Sequence, residues 1–370
     1  MAAYSSLPIV LAGGGTGGHL YPGLALAEAL KAVDSRVSII FMGTSQGLEA
    51  RLVPQAGYPL VELAAGRGSP ISFRHPWNAA RFGAALAQCA RRFFNDPPAA
   101  VVSLGGYAAA APGILARWRR IPLVLLEQNA IPGRVTRLLS RWAGEVHLQF
   151  DEARTYLSAP RERVFHTGTP VREKIAALYR YESGPKRHLL ILGGSQGAER
   201  LNFLASACAP AWMEAGIPVA HITGERDYAK ISSRYRSQYG NILKDRLWLA
   251  AYADDMAPLY GSARLALMRA GASTAAEAAL AGLPAILVPF PKARDDHQAA
   301  NAGILEAAGA AKVIPEEKLT EELLHRVVLT LWRDAGRLDA MSASARRLAR
   351  PDAAQEIAER VLALARRRRP

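Results

Sequence analysis

Pro8-Ile9-Val10-Leu11-Ala12-Gly13-Gly14-Gly15-Thr16-Gly17-Gly18-His19 joins a short apolar run to a glycine-dense loop, and Leu24, Ala27, Ala29 and Leu30 follow at helical spacing. Strand, glycine loop, helix is the reading. The order returns at His188–Leu192, which leads into Gly193-Gly194-Ser195-Gln196-Gly197-Ala198 and a helix with Leu201, Leu204 and Ala205 on one face. Outward from these stretches lie further apolar runs at Val37–Met42, Leu60–Leu63, Ala99–Leu104 and Leu123–Leu126 in the first half. The second half has Pro218–Thr223, Leu247–Ala250, Ala263–Met268 and Ala285–Pro289. Apolar runs alternating with helices make βαβ units and a mostly parallel sheet. The chain is therefore expected to be α/β, with two Rossmann-like, doubly wound domains facing across a cleft. Ligands would sit in that cleft, at the strand C-termini. The join falls in Gly168–Pro185, so the domains are expected at 1–171 and 172–348. The last helix, Ala354–Ala365, carries Ile357, Val361 and Leu364 on one stripe, and the 349–370 segment is expected to pack back on the first domain.

With 370 residues, 50% hydrophobic and 21% charged, the chain has material for two ordinary domains with real cores. Cys89 and Cys208 are too few for a disulfide framework or a cysteine metal cluster, and point to a reducing compartment. Met1–Gly18 lacks the basic start of a secretory signal, and the long apolar runs are broken by Gly, Pro or Glu277. A formal charge of +14 implies a polyanionic partner. No nucleic-acid motif accompanies it, so a phosphate ligand or an anionic membrane surface is expected rather than nucleic acid.

Gly13, Gly15 and Gly18 satisfy the spacing of a dinucleotide fingerprint. That reading fails because an NAD site needs a carboxylate about 20 positions further on, and Val37–Met42 ends without one. No Gly-Lys-Ser/Thr follows either loop, which removes the P-loop too. What remains is a backbone N–H cradle for a diphosphate. His19, directly after the loop, is placed as a base near neutrality, or as a phosphate ligand or helix cap. Arg269-Ala270-Gly271-Ala272-Ser273-Thr274-Ala275-Ala276-Glu277 reads as a turn into a helix start suited to an anion, with Glu277 reaching hydroxyls of its carrier. Thr274-x-x-Glu277 also reads as a capping box. Asp254-Asp255 and Asp295-Asp296 lack further ligands at metal spacing, so no metal and no cofactor is expected, and Asp255 reads as an N-cap. Phe73–Phe94 interleaves Phe73, Trp77, Phe82, Phe93 and Phe94 with Arg74, His75, Arg81, Arg91 and Arg92, and Trp118 stands among Arg117, Arg119 and Arg120. These suit either an anionic bilayer surface or an ordinary helix with its aromatics in the core.

In chain order, Gly14-Gly15-Thr16-Gly17-Gly18-His19 with Pro22, Gly105-Gly106-Tyr107, Glu127-Gln128-Asn129 and Gly168-Thr169-Pro170-Val171-Arg172 form a series. It continues through Gly193–Ala198, Asp254-Asp255-Met256, Arg269–Glu277, Gly282-Leu283-Pro284-Ala285, Val288-Pro289-Phe290, Asp296-His297-Gln298 and Asn301. This collinear series, over nearly the whole chain, resembles the MurG family of UDP-N-acetylglucosamine:lipid I N-acetylglucosaminyltransferases, which have the GT-B fold. The resemblance implies an inverting hexosyltransferase of peptidoglycan synthesis that needs no metal. It implies peripheral action at the cytoplasmic face of the bacterial membrane, with a cell-wall synthesis and division complex as a partner. It places Ser195, Ala272, Ser273 and Thr274 at the UDP diphosphate, Glu277 at the ribose, Ala253 at the uracil, and His297 or Gln298 at the sugar. Arg172, Asn129 and Thr16, Gly17 and Gly18 complete the donor site. Gly14, Gly15, His19 and Tyr107 face lipid I, with His19 the candidate base. The chain departs from the family pattern at Leu126, at Met268-Arg269-Ala270-Gly271, at Tyr252-Ala253 and at Ala108-Ala109-Ala110-Ala111-Pro112. Alternatives are the same donor with a diacylglycerol acceptor, a UDP-N-acetylglucosamine epimerase, and an inactive UDP-sugar-binding scaffold.

Overall fold

Seven strands build the first sheet: β1 (Leu7–Gly13), β2 (Val37–Gly43), β3 (Leu60–Glu62), β4 (Ala100–Gly105), β5 (Leu123–Glu127), β6 (Glu145–Leu148) and β7 (Val164–Phe165). All pair in parallel, in the order β3-β2-β1-β4-β5-β6-β7. A second sheet is built from β8 (His188–Leu192), β9 (Val219–Ile222), β10 (Leu247–Ala250), β11 (Ala263–Met268), β12 (Ala285–Leu287) and β13 (Ala311–Val313), again parallel, in the order β10-β9-β8-β11-β12-β13. These come from a computed structural model, which describes residues 7–64, 76–181, 184–193, 198–239 and 245–367. The chain divides into two units, one of Met1–Arg172 with Asp352–Pro370 and one of Glu173–Pro351. Each unit is a doubly wound α/β fold. Strand order reverses between β1 and β4 in one and between β8 and β11 in the other, and such switch points are where doubly wound sheets hold ligands.

Both faces of the first sheet are covered, as parallel strands require. Along β1, Ile9 and Leu11 enter one core with Leu20, Leu26 and Leu30 of the Gly17–Val33 helix, while Val10 and Ala12 enter the other with Cys89 and Phe93. Alternation along a strand sends successive side chains to opposite faces. Ile357, Ala358, Val361, Leu362 and Ala365 of the Ala353–Arg367 helix lie in the first of these cores, so the end of the chain completes the unit with which it began. Arg360 stacks 3.6 Å from the Phe165 ring centroid and bonds Glu145, and Arg366 bonds Asp34, tying that helix to β6, β7 and the loop before β2. The second unit packs Leu189, Ile191, Leu265 and Leu267 against Trp212, Met213, Leu324 and Val328.

The aromatic-basic helix divides between its two readings. In the Pro76–Asn95 helix, Phe93 is fully buried and Phe82 packs against the same core, so neither belongs to a surface stripe. Trp77, Phe94 and Trp118 stand 77%, 74% and 69% exposed, and the Arg119 guanidinium lies 5.9 Å from the Phe94 ring. Phe73, Arg74 and His75 lie outside the described residues. No helix among the described residues is long and apolar enough to cross a membrane.

Candidate functional site

In the first unit the switch point brings together the ends of β1, β4 and β5. Gly13, Gly14 and Gly15 leave β1 at φ 148°, 145° and 90°, backbone that side chains rarely adopt. A Cβ on Gly13 would stand 2.6 Å from the Gly105 carbonyl oxygen, so the loop lies directly against the end of β4. Thr16, extended, is the N-cap of the Gly17–Val33 helix but makes no side-chain cap bond. Its hydroxyl instead meets His19 Nδ1 at 3.2 Å. The other edge of the His19 ring lies on Gly105, where a Cβ would come within 3.0 Å of Nε2. Tyr107 opens the 3-10 turn that follows. At the end of β5, Glu127 accepts the Asn129 main-chain N–H at 3.0 Å and the Gly133 N–H at 3.1 Å, which fixes the direction Asn129 takes. Burial raises the Glu127 pKa, and these bonds work against that rise. The Arg172 guanidinium lies 5.1 Å from the Tyr21 ring of the same helix as His19. Thr16, Gly17, Gly18, His19, Gly14, Gly15, Tyr107 and Asn129 are thus gathered on neighbouring strand ends, with Arg172 on the flank.

The second unit repeats the arrangement at the ends of β8 and β11. Ser195 and the rest of 194–197 lie outside the described residues. After β11, Arg269 is buried; it donates to the Val288 carbonyl at 3.2 Å and pairs with Glu316. Asn301 holds the Ala270 carbonyl at 3.2 Å, so the turn into the next helix is pinned on both sides. That helix, Ala272–Leu280, takes Gly271 as its N-cap. This overturns the capping box. Thr274 lies inside the helix instead of capping it, and the buried Glu277 accepts the Tyr260 hydroxyl at 2.8 Å. Ala272, Ser273 and Thr274 form the first turn, the end of a helix whose backbone dipole favours an anion. Gln298 accepts the Phe290 N–H at 3.0 Å, and His297 Nδ1 donates to the Arg294 carbonyl at 2.7 Å, which assigns the proton to Nδ1. Ala253, half-buried, follows β10.

The acidic pairs have other work. Asp255 accepts the Ala257 N–H at 3.1 Å and pairs with Lys174, while Met256 is the N-cap of the Ala257–Ser262 helix, one residue later than expected. Asp295 and Asp296, at φ 52° and 51°, form the turn into the His297–Ala307 helix. Among the described residues no three His, Cys, Asp or Glu side chains gather around a common point.

Two residues absent from the sequence reading, and one quoted there without a role, belong to these sites. Tyr260 bonds Glu277. Gln128 donates to the Leu104 carbonyl at 3.2 Å while its own buried oxygen has no hydrogen-bond partner among the described residues, beside the Gly105–His19 contact. Glu49 accepts the Gly15 N–H at 2.8 Å. Gln128 stood within a quoted motif, but Glu49 and Tyr260 act from 34 and 17 residues away, with no local signature.

Two parallel α/β units, each with a loop–helix site at its strand-order reversal, define a GT-B glycosyltransferase fold. Family models agree: residues 9–148 match the Glycosyltransferase family 28 N-terminal domain and residues 188–357 its C-terminal domain. A Geobacter sulfurreducens protein named UDP-N-acetylglucosamine–N-acetylmuramyl-(pentapeptide) pyrophosphoryl-undecaprenol N-acetylglucosamine transferase is 38% identical over 98% of this chain and 100% of its own. An Acidithiobacillus ferrooxidans protein of the same name is 42% identical over 95% of this chain and 96% of its own. Among solved structures, Acinetobacter baumannii MurG aligns with TM-score 0.75 and 29% identity over 96% of this chain and 99% of that one. The chain belongs to the MurG family of these transferases.

Proposed function

We propose that the chain transfers N-acetylglucosamine from UDP-N-acetylglucosamine to undecaprenyl-diphosphate-linked N-acetylmuramyl-pentapeptide, lipid I, and so makes lipid II of peptidoglycan. The observation that carries the proposal is 42% identity to a relative of that name across 95% of the chain. In this reading the second unit holds the donor. Amides and hydroxyls of Ala272, Ser273 and Thr274, with Ser195, take the UDP diphosphate at a helix N-terminus. Glu277 takes the ribose, the Ala253 main chain the uracil, and His297 and Gln298 the sugar. The first unit takes lipid I along Gly14, Gly15, His19 and Tyr107, and Thr16, Gly17, Gly18, Asn129 and Arg172 complete the donor side.

The reaction is one displacement with inversion. His19 Nε2 takes the acceptor hydroxyl proton as its oxygen bonds the anomeric carbon, and the bond from that carbon to the UDP phosphate oxygen breaks. The Thr16–His19 contact supports this role: with Nδ1–H donating to Thr16, the lone pair is on Nε2. Helix-start amides and Arg172 stabilise the departing diphosphate without a cation. The exposed Trp77, Phe94 and Trp118, the last two flanked in sequence by Arg91, Arg92, Arg117, Arg119 and Arg120, suit peripheral attachment to an anionic membrane, whose cytoplasmic face carries the lipid substrate.

Labelled UDP-N-acetylglucosamine incubated with a lipid I analogue tests the reading. The expected product is the disaccharide-linked lipid. Label moving to diacylglycerol instead, or bound donor with no turnover, contradicts it.

A further inference from the structure

We propose that Glu49 is the positioning residue of the first glycine loop, and that through the loop it sets how the acceptor meets His19; the second clause rests on the transferase reading above. Glu49 is fully buried at the start of the short Glu49–Gln55 helix. A glutamate there ordinarily faces the amides of its own helix. This one turns away from them. One carboxylate oxygen accepts the Thr44 N–H at 2.9 Å and the Thr44 hydroxyl at 2.8 Å, and the other accepts the Gly15 N–H at 2.8 Å.

The backbone closes round this carboxylate from three sides. A Cβ would lie 2.5 Å from its carbon at Gly14, 2.6 Å from Cγ at Gly43, and 2.0 Å from Oε2 at Gly47. The loops after β1 and β2 therefore share one buried anion as their common centre. Burying a carboxylate costs several kcal/mol unless donors surround it, while bonds to an ionised acceptor are the strong ones. A run of glycines at positive φ has little of its own to fix it. The Gly15 amide bond is a fixed point in that run, and the next residue is Thr16, whose hydroxyl meets His19. Glu49 touches no reacting group. It acts through Gly15 and Thr16.

Glu49→Gln is the test, because glutamine keeps the volume and the Thr44 bonds but turns an NH2 toward the Gly15 N–H, donor against donor. Two readouts are taken: amide hydrogen exchange across residues 13–18, and steady-state transfer with UDP-N-acetylglucosamine and a lipid I analogue varied in turn. Gly15 exchange is expected to rise about tenfold, with a rise of similar size in the acceptor KM and a lower kcat, the scale of one lost charge-assisted hydrogen bond. The donor KM is expected to rise less than the acceptor KM, because Thr16, Gly17 and Gly18 only complete a donor site whose main holding groups, Ala272, Ser273, Thr274 and Glu277, belong to the second unit. Thr44→Val, which removes a bond on the side away from the loop, should lower Tm and leave Gly15 exchange and the acceptor KM unchanged. Unchanged Gly15 exchange in Glu49→Gln overturns the brace. A donor KM that rises as much as the acceptor KM, or more, overturns its link to the acceptor. Should Glu49→Gln fail to fold, Glu49→Asp draws the charge back by one methylene and decides by the same exchange readout. A wild-type chain that transfers nothing to lipid I sinks the transferase reading, and the exchange arm still decides the brace.

Discussion

Tyr260 donates to Glu277 inside the second unit, so the carboxylate that reads the ribose in our proposal arrives already oriented. Tyr260→Phe keeps the ring and removes only that donor. The expected outcome is a rise in the KM for UDP-N-acetylglucosamine of about fivefold to tenfold, about 1–1.4 kcal/mol, with the acceptor KM unmoved. Steady-state kinetics with each substrate varied checks it. At this scale the sequence was only partly legible. His19, Tyr107 and Asn129 stood in motifs, and each follows a strand end at the switch point, His19 in the first turn of the helix after β1, Tyr107 in the turn after β4 and Asn129 after β5. The Thr274–Glu277 spacing misled, because the residue that caps the helix is decided by the extended backbone of Gly271, at φ −67° and ψ 138°, which the spacing does not carry. Glu49 was invisible for a different reason. Its partner Gly15 lies across a strand and a helix, and only folding brings the two together.

The docked C-terminal helix makes a pH prediction at the scale of the element. Burial works to raise the Glu145 pKa, but the His147 ring nitrogen 3.3 Å away and the hydrogen bond from Arg360 outweigh it and the net shift is downward. Hydrogen bonds from Arg36 and then Arg366 hold Asp34 well below the usual carboxylate range. For both groups the folded pKa is depressed. Their stabilisation is therefore complete above the ordinary values of 4.5 and 3.8 and is lost as pH falls below them. Hydrogen exchange across Ala353–Arg367 should accelerate on acidification through that window. Arg360→Ala with Arg366→Ala should give the faster exchange already at neutral pH. Long elements were legible because their apolar period is sustained, as in β1 and the final helix. β6, β7 and β13 were not. β7 has two residues, β6 carries Glu145 and His147, and β13 carries Lys312, so neighbouring strands and not local pattern define them. The aromatic-basic helix needed its helical phase: Phe93 and Phe94, adjacent in sequence, point about 100° apart on a helix, one buried and one exposed. Replacing Trp77, Phe94 and Trp118 by polar residues should weaken binding to anionic vesicles in a sedimentation assay. Unchanged binding would remove this surface from the account.

At the scale of the molecule, each unit carries its own stability determinants. In the second, His221 is fully buried with Asn202 on Nε2 at 3.1 Å and the Tyr235 hydroxyl on Nδ1 at 3.1 Å. Asn202 uses its NH2 on Asp227 and the Thr223 carbonyl, so its oxygen accepts from Nε2–H and Tyr235 donates to Nδ1. The ring is neutral, and burial pushes its pKa from 6.5 down to about 3. An unfolded chain protonates this histidine first, so stability falls as pH drops from 6.5 toward 3. The slope is about 1.4 kcal/mol per pH unit. Denaturant midpoints across that range should show the slope, and His221→Gln, which keeps one donor and one acceptor, should flatten it. The repeated strand–glycine loop–helix order made the two-unit plan readable from the start, since each repeat opens its sheet with a buried strand.

The central claim is a division of labour: the donor read by the second unit, the acceptor activated by the first. Transfer to a lipid I analogue by wild type, His19→Ala and Glu277→Ala, with both substrates varied, tests it most directly. The account expects His19→Ala to lower kcat by about 100-fold or more with the UDP-N-acetylglucosamine KM little changed. Glu277→Ala should instead raise the donor KM by about tenfold or more and leave the acceptor KM near its wild-type value. Both variants shifting the two KM values alike, or His19→Ala turning over at the wild-type rate, would contradict it.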